Sequence, residues 1–328
     1  MSRRSFLLAG LGALAARCGG KDGPVDPSTT PSGPSGEGAP GPVVVGENLA
    51  GRSVFPADNW WNVDVSRAPV DRGSEDFIDR IGRDRGLHPD FGPPPHGIPY
   101  VTVSRSQPRV SVRFVDYPEE SDAGAPGRAP GYPIPPAART EAGYLEGGSD
   151  RHLLLIDRDD WLLFETWATG WNGSVWEAGS GAVFDMNRND RRPEGWTSAD
   201  AAGLAIFPGL VRRDEAEGAG EIRHAFRVTL RATNGYVWPA SHEAGDASGA
   251  LPMGARLRLR ASKDLSGYPA YLQRIFRAMQ THGLIVADNG SDLYVTGTMD
   301  ARWNNDALNP AFGSLRARDF EVIELGFR

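Results

Sequence analysis

The chain has 328 residues, of which 40% are hydrophobic and nine are tryptophans, so it can bury a sizeable core. Its 42 acidic and 35 basic residues give a formal net charge of −7. That balance argues against nucleic acid and anionic membrane surfaces as partners, because both require clustered Lys and Arg. A single cysteine excludes any disulfide within the chain.

The first 17 residues have the pattern of an export signal. Arg3 and Arg4 precede an apolar stretch, residues 6–16, which is shorter than the roughly 20 residues that a membrane-spanning helix needs. The paired arginines predict the twin-arginine route. Removal of residues 1–17 takes away three arginines and no acids, so the net charge moves from −7 to −10.

Cys18 has two interpretations. In the first it is lipidated and anchors the protein to a membrane of the bacterial cell envelope; residues 14–18 resemble a lipidation signal except at Arg17, where a small residue is usual. In the second, a signal peptidase cuts after Ala15 or Ala16 and releases the protein outside. Residues 18–42 are rich in Gly, Pro and Ser, as expected of a flexible linker, which favours the anchor. Residues 43–328 are predicted to form a single β-rich globular domain, and we expect a monomer.

In the first half of that domain, residues 75–85 predict a helix capped by Ser74 and ended by Gly86. Two strands are predicted, at residues 98–103 and 110–115. In the second of them apolar and polar side chains alternate, as one buried face requires. Residues 118–148 predict a long irregular segment. Such segments often line binding sites.

The middle of the chain gives the clearest local prediction, a β-hairpin of residues 152–156 and 161–167 around four charged residues, 157–160. A helix is predicted over residues 269–282, since Leu272, Ile275, Phe276 and Met279 share one face. Further strands are predicted at residues 182–186, 221–230, 236–238, 256–260, 284–287, 293–298 and 320–325. The predicted fold class is therefore mainly β, a β-rich α+β fold, with an antiparallel sandwich or curved sheet and two or three short helices packed on it.

Several tryptophans stand in loops or at strand ends beside small polar residues, an arrangement that suits stacking on sugar rings. The alternative is that the rings fill the core or fasten loops to it. The platform candidates are Trp176, Trp196 and Trp238.

Acid and base candidates are concentrated after residue 180. The set is Asp185, Asp200, His224, His242 and Asp288. Two have structural alternatives: Asp200 can occupy the first turn of a helix that starts near residue 196, capped by Ser198, and strand alternation places His224 on an apolar face. Pairs of these carboxylates could act on a glycosidic bond. Further substrate-binding candidates are Ser180, Ser198 and Glu221. No closely spaced histidine pair predicts a metal site, and no dinucleotide or phosphate-binding motif predicts a cofactor.

Residues 55–325 resemble a family of uncharacterised exported bacterial proteins. The resemblance rests on the segments GSGAVFD (179–185), WTSADAAGL (196–204), PGLVR (208–212), GEIRHA (220–225), YVWP (236–239) and ADNG (287–290), together with SDRH (149–152). It implies one indivisible domain of extracellular type and brings no reaction with it.

Two functions follow as expectations. The first is an exported, membrane-anchored, carbohydrate-active enzyme, a polysaccharide hydrolase or lyase that uses Asp and His as acid and base. The second is a non-catalytic envelope lipoprotein that binds glycans or acts as a scaffold.

Overall fold

A computed structural model describes residues 41–328 of the chain. The predicted export signal, Cys18 and most of the linker lie outside the described residues. Within residues 41–328, no helix is both long and apolar enough to cross a membrane.

The secondary structure consists of short strands with a few helices between them. The strands are β1 (Val44–Val45), β2 (His88–Asp90), β3 (Tyr100–Val103), β4 (Val112–Phe114), β5 (Leu153–Asp157), β6 (Leu162–Trp167), β7 (Gly170–Trp171), β8 (Trp176–Ala178), β9 (Ser180–Asp185), β10 (Phe226–Leu230), β11 (Arg256–Leu259), β12 (Leu284–Asn289), β13 (Tyr294–Thr296) and β14 (Phe320–Val322). The α-helices are α1 (Ser74–Ile81), α2 (Arg213–Ala216), α3 (Ala270–Thr281) and α4 (Asn305–Gly313).

The strands form three sheets. A five-stranded sheet has the order β1-β3-β5-β6-β9, a six-stranded sheet has the order β14-β11-β12-β10-β13-β2, and a small sheet has the order β4-β8-β7. The predicted mainly β fold with short helices is confirmed. The sheets are mixed, however, because β3 runs parallel to β5 and β10 runs parallel to β12.

The predicted hairpin is present as β5 and β6, which pair antiparallel with Leu155 opposite Phe164. Asp157 closes the turn, since its Oδ1 accepts hydrogen bonds of 3.1 Å from the backbone N–H groups of Asp159 and Asp160. All five residues of β5 are buried, which explains its nearly continuous apolar sequence.

The second predicted helix is also present, as α3. The predicted stripe of Leu272, Ile275, Phe276 and Met279 is fully buried in the main apolar core. Gly283 ends the helix with a φ of +78°, a left-handed conformation that glycine adopts without a steric penalty.

Four local predictions were wrong. The strand predicted at residues 236–238 is absent, and Tyr236 forms only an isolated bridge with Met253. Ser74 does not cap α1; its hydroxyl accepts a hydrogen bond from the N–H of Val322, and α1 ends at Ile81 rather than near residue 85. Residues 196–203 form turns and no helix. The strand predicted from residue 221 begins only at Phe226, so strand alternation does not apply to His224. In each case a tertiary contact replaces the local pattern.

Candidate active site

Arg227 joins two of the carboxylates that the sequence singles out. Its Nε and Nη2 donate to the two oxygens of Asp200 at 3.0 and 2.8 Å, and Nη2 also donates to Asp288 at 2.7 Å. Nη1 donates to the hydroxyl of Thr296 at 2.8 Å. Arg227 is only 4% exposed. The two acids therefore belong to one buried ionic group, which we call the Arg227 cluster.

The register of the six-stranded sheet explains this grouping. Thr296 of β13, which contacts Arg227, is paired with Asp90 of β2. On the other side of β10 the pairing with β12 shifts after Val228, so that Thr229 faces Asp288 and Ala287 is the extra residue of a bulge. Bulges re-aim side chains and are common beside active sites. One face of the sheet thus carries a row of polar residues.

The turn segment 196–203 supplies Asp200 from outside the sheet. The hydroxyl of Ser198 accepts from the N–H of Asp200 at 2.9 Å and donates to the carbonyl of Leu204 at 2.6 Å. The N–H of Ala202 donates to the carbonyl of the bulged Ala287 at 2.9 Å. The segment is therefore fixed to the same bulge that positions Asp288. The side chain of Asp200 has no exposed surface.

His152, which precedes β5, approaches the cluster from the five-stranded sheet. Its Nδ1 lies 2.5 Å from the carboxylate of Glu146 and its Nε2 lies 3.1 Å from the carbonyl of Ala199. Both partners are acceptors, which suits a doubly protonated ring. Burial lowers the pKa of His152, but the hydrogen bond and the charge of Glu146 outweigh it, so the pKa is raised above its usual 6.5.

Asp288 combines a shifted pKa with access to solvent. Burial raises its pKa to about 6; the charge of Arg227 opposes the shift and the charge of Asp200 adds to it. Its side chain is 28% exposed, whereas that of Asp200 is inaccessible. A carboxyl that titrates near neutrality at the edge of a buried ionic group can donate or accept a proton.

Additional acids surround the cluster. Asp90 is exposed overall, but part of its carboxyl is shielded from water, and this desolvation raises its pKa. The charge of Arg227 opposes the shift in pKa, while the charges of Glu146 and Asp150 add to it. Glu165 of β6 is fully buried and accepts from the N–H groups of Ile206 and Phe207 at 2.8 Å each. Burial raises its pKa to about 7. The surroundings of Arg227 are therefore strongly acidic.

Two predicted acid or base candidates lie outside the cluster. His224 is buried, and its two ring nitrogens lie 2.9 Å from the carbonyl of Ala225 and 2.9 Å from the carboxylate of Glu215. Asp185 holds a turn after β9, where its Oδ1 accepts from the backbone and side chain of Asn187 at 3.0 and 2.8 Å. Neither contacts Arg227.

His242 is adjacent to the cluster through the backbone only. Its Nδ1 donates to the carbonyl of Ala201 at 2.8 Å, and its ring lies 6.3 Å from that of Tyr117, edge to face. Ser180 and Ser198 are buried, and the hydroxyl of Ser180 donates to the carbonyl of Ser198 at 2.6 Å. These serines therefore brace the turn segment 196–203. Glu221 is exposed and stands outside any strand.

The three predicted platform tryptophans differ in access. Trp176 is 1% exposed and belongs to the second apolar core, so it presents no face to a ligand. Trp196 and Trp238 are half-buried. The guanidinium of Arg192 lies 5.3 Å from the ring of Trp196, and that of Arg328 lies 4.6 Å from the ring of Trp238.

Arg227, His152 and Glu146 were not selected from the sequence. The signal for Arg227 is its position inside an apolar strand, between Phe226 and Val228, where an arginine must find buried anionic partners. Glu146 and His152 carry no such signal, because their contact depends on the path of an irregular segment. Within residues 41–328, no group of three or more His, Cys, Asp or Glu side chains is arranged to hold a metal ion.

Comparisons with known proteins add no relative. No protein-family model matches the chain, and neither the curated proteins nor the solved structures compared with it give a match. Function must therefore be inferred from the Arg227 cluster itself.

Proposed function

We propose that the protein is an exported, lipid-anchored glycoside hydrolase that acts on a polysaccharide, with Asp288 as its proton donor. The observation that carries this proposal is the contrast between the two acids on Arg227: Asp288 reaches solvent and has a pKa of about 6, whereas the side chain of Asp200 is inaccessible to solvent. Protonation of a glycosidic oxygen needs a carboxyl that still holds its proton near neutral pH.

The remaining groups have supporting roles in this proposal. Asp200 holds the guanidinium of Arg227, and Arg227 orients the carboxyl of Asp288. Asp90 is the candidate for the second carboxylate, because it lies in the same row of the sheet, on the strand beyond Thr296. Three strand spacings separate Asp90 from Asp288, roughly 14 Å between their backbones. Inversion requires a separation of roughly 6.5–9.5 Å between the two carboxyl groups, with room for a water molecule, so in this proposal both side chains extend toward the glycosidic bond between them.

The charge of the cluster favours a hydrolase over a lyase. A lyase that acts on uronic acids must accept a substrate carboxylate, and Asp90, Glu146 and Asp150 would repel it. The buried guanidinium of Arg227 already has three partners. A neutral or cationic glycan is therefore the proposed substrate.

The second candidate function is a glycan-binding lipoprotein without catalysis. It is supported by the aromatic rings along the turn segment 196–203, since Trp196 and Trp238 are half-buried and Tyr117 is 38% exposed. The export route and the anchor at Cys18 rest on residues 1–18 in either case.

One experiment separates these functions. The full chain is incubated with neutral polysaccharides (cellulose, xylan, mannan and laminarin) and with acidic ones (alginate and polygalacturonate), and both new reducing ends and unsaturated products are assayed. The hydrolase proposal expects reducing ends from a neutral polymer without unsaturated products. Unsaturated products from an acidic polymer would replace it with a lyase, and binding without any product would favour the second function.

A further inference from the structure

A cleft separate from the Arg227 cluster lies between α1 and the far end of β10. Its volume is about 320 Å³, at the lower end of the range for small-molecule sites. Its lining includes Phe77, Arg80, Ile81, Arg85, Arg231 and Leu251. Leu230, the last residue of β10, and Asp292 also border it.

The wall of the cleft is basic in a protein that is acidic overall. Arg80, Arg85 and Arg231 contribute three positive charges and Asp292 one negative charge, whereas the whole chain has a net charge of −7. Asp292 is already engaged, because it accepts from the N–H of Arg231 at 2.8 Å and lies 3.4 Å from the Nε of Arg85. A positive charge is therefore left for an incoming group.

The three arginines differ in how firmly they are held. Arg85 is anchored, since its Nε donates to the carbonyl of Ile81 at 3.0 Å. Arg231 is 69% exposed and lies 3.8 Å from Asp292, beyond hydrogen-bond distance. Arg80 forms no ion pair with any residue that the structure describes. Two guanidinium groups are thus available to a ligand.

The floor of the cleft is apolar. Leu230 and Leu251 are each 2% exposed, and Phe77 and Ile81 are half-buried on the adjoining face of α1. Apolar surface beneath exposed guanidinium groups suits a ligand that has an apolar body and an anionic end, because burial of the body and a charge-assisted hydrogen bond then act together.

We propose that this cleft binds a small organic anion, with its anionic group on Arg80 and Arg231 and its apolar body on Phe77 and Ile81, the half-buried apolar residues of the lining. The shared chemistry is a carboxylate or phosphate on an aromatic or aliphatic body. The proposal does not depend on the reaction at Asp288, since the two sites share no residue.

The test measures binding of benzoate, phenyl phosphate and the neutral analogue benzyl alcohol to the full chain by calorimetry, with amide NMR shifts to locate the site. We expect benzoate or phenyl phosphate to bind more tightly than benzyl alcohol and to shift the amides of Ala232, Ala250 and Leu251, which line the cleft. The ratio of the two anion affinities identifies the preferred anionic group. The R80Q/R231Q double variant should weaken anion binding by about tenfold or more, because charge-assisted hydrogen bonds are lost.

The matched control is R188Q, which removes an arginine of similar exposure (65%) at another part of the surface. It should leave anion binding unchanged. Absence of anion binding to the wild-type chain, equal affinity for benzyl alcohol, or unchanged affinity in R80Q/R231Q would each overturn the proposal. Both arginines are exposed, so the double variant is expected to fold, and its circular dichroism spectrum checks this.

Discussion

Burial gives two carboxylates on the same guanidinium different roles. Asp200 is inaccessible and makes two hydrogen bonds to Arg227, so in the proposed mechanism it positions that guanidinium. Asp288 makes one hydrogen bond to Arg227, keeps 28% of its side chain exposed and has a raised pKa. Only the second can both reach a substrate and exchange a proton with it.

Asp200→Asn should therefore mainly reduce stability. The amide removes the full negative charge that compensates buried Arg227, and loss of one partner of a buried ion pair costs about 3–5 kcal/mol. Urea denaturation of the full chain measures this loss. D185N is the control, because Asp185 holds a half-buried turn and has no contact with Arg227; it should cost less than half as much. Equal losses in both variants would show that Asp200 contributes no more than a turn residue.

At the scale of secondary structure, the sequence predicted the elements with strong periodicity. The β5–β6 hairpin and α3 were predicted because their apolar patterns are long and their ends carry turn residues. The sequence of the turn segment 196–203 predicts a helix that does not form, because a Ser followed by acidic and small residues also begins helices. What decides its structure is nonlocal: the bond from Ala202 to the bulged Ala287 and the ion pair between Asp200 and Arg227.

The same limit applies to the candidate site. Asp200 and Asp288 could be selected from the sequence, because acidic residues beside predicted turns and helix starts can be recognised in it. Arg227 carries a signal in its place inside an apolar strand, but its contacts with these acids and the pairing of His152 with Glu146 could not be predicted, since the register shift in β12 and the irregular segment before β5 determine them. His224 was selected by type but contacts Glu215 elsewhere.

Gly203 is the residue on which the geometry of the turn segment depends. Its φ is +71°, and a Cβ there would lie 2.1 Å from the hydroxyl of Ser241 and 2.6 Å from the carbonyl of Trp196. We expect Gly203→Ala to cost about 2–4 kcal/mol in unfolding free energy, from backbone strain and steric overlap.

Gly195→Ala is the matched control for that substitution. Gly195 has a similar φ of +80°, but a Cβ added there would have no neighbouring atom within 4 Å, so only the backbone strain applies, about 1 kcal/mol. Thermal denaturation of both variants gives the comparison. If Gly195→Ala costs as much as Gly203→Ala, the close contacts around Gly203 contribute nothing and the segment is less tightly fixed than those contacts indicate.

At the scale of the whole molecule, buried acids should give stability a maximum at mildly acidic pH. Glu165, with a pKa raised to about 7 by burial, holds a proton in the folded state that the unfolded state loses above its ordinary pKa of 4.5. Stability from this group therefore falls as pH rises from 4.5 to 7. Glu215 has the opposite effect: burial opposes its ionisation, but Arg212 and His224 lower its pKa to about 2, so stability falls as pH decreases from 4.5 to 2.

Glu165→Gln tests the predicted loss of stability between pH 4.5 and pH 7. The amide keeps an acceptor for the N–H groups of Ile206 and Phe207 but cannot ionise. The unfolding free energy of the wild-type chain should fall by up to about 3 kcal/mol between pH 4.5 and pH 7, because the unfolded state releases the proton of Glu165 more readily than the folded state does. The variant lacks this proton, so its unfolding free energy should rise by that amount relative to wild type. Urea titrations across this pH range measure the difference. A difference that does not change with pH would mean that Glu165 titrates normally.

The proposal that Asp288 is a proton donor is tested most directly by the rate of reducing-end release from a neutral polysaccharide. Asp288→Asn keeps the size of the side chain but removes the acid, and general acid catalysis typically contributes about 10²–10⁴-fold. We predict that D288N loses at least about 100-fold in this rate while D185N retains wild-type activity, and that the wild-type rate declines as pH rises above about 6, where Asp288 loses its proton. A D288N variant that cleaves the polymer at the wild-type rate, with the same pH dependence, would contradict the assignment of Asp288 as the catalytic acid.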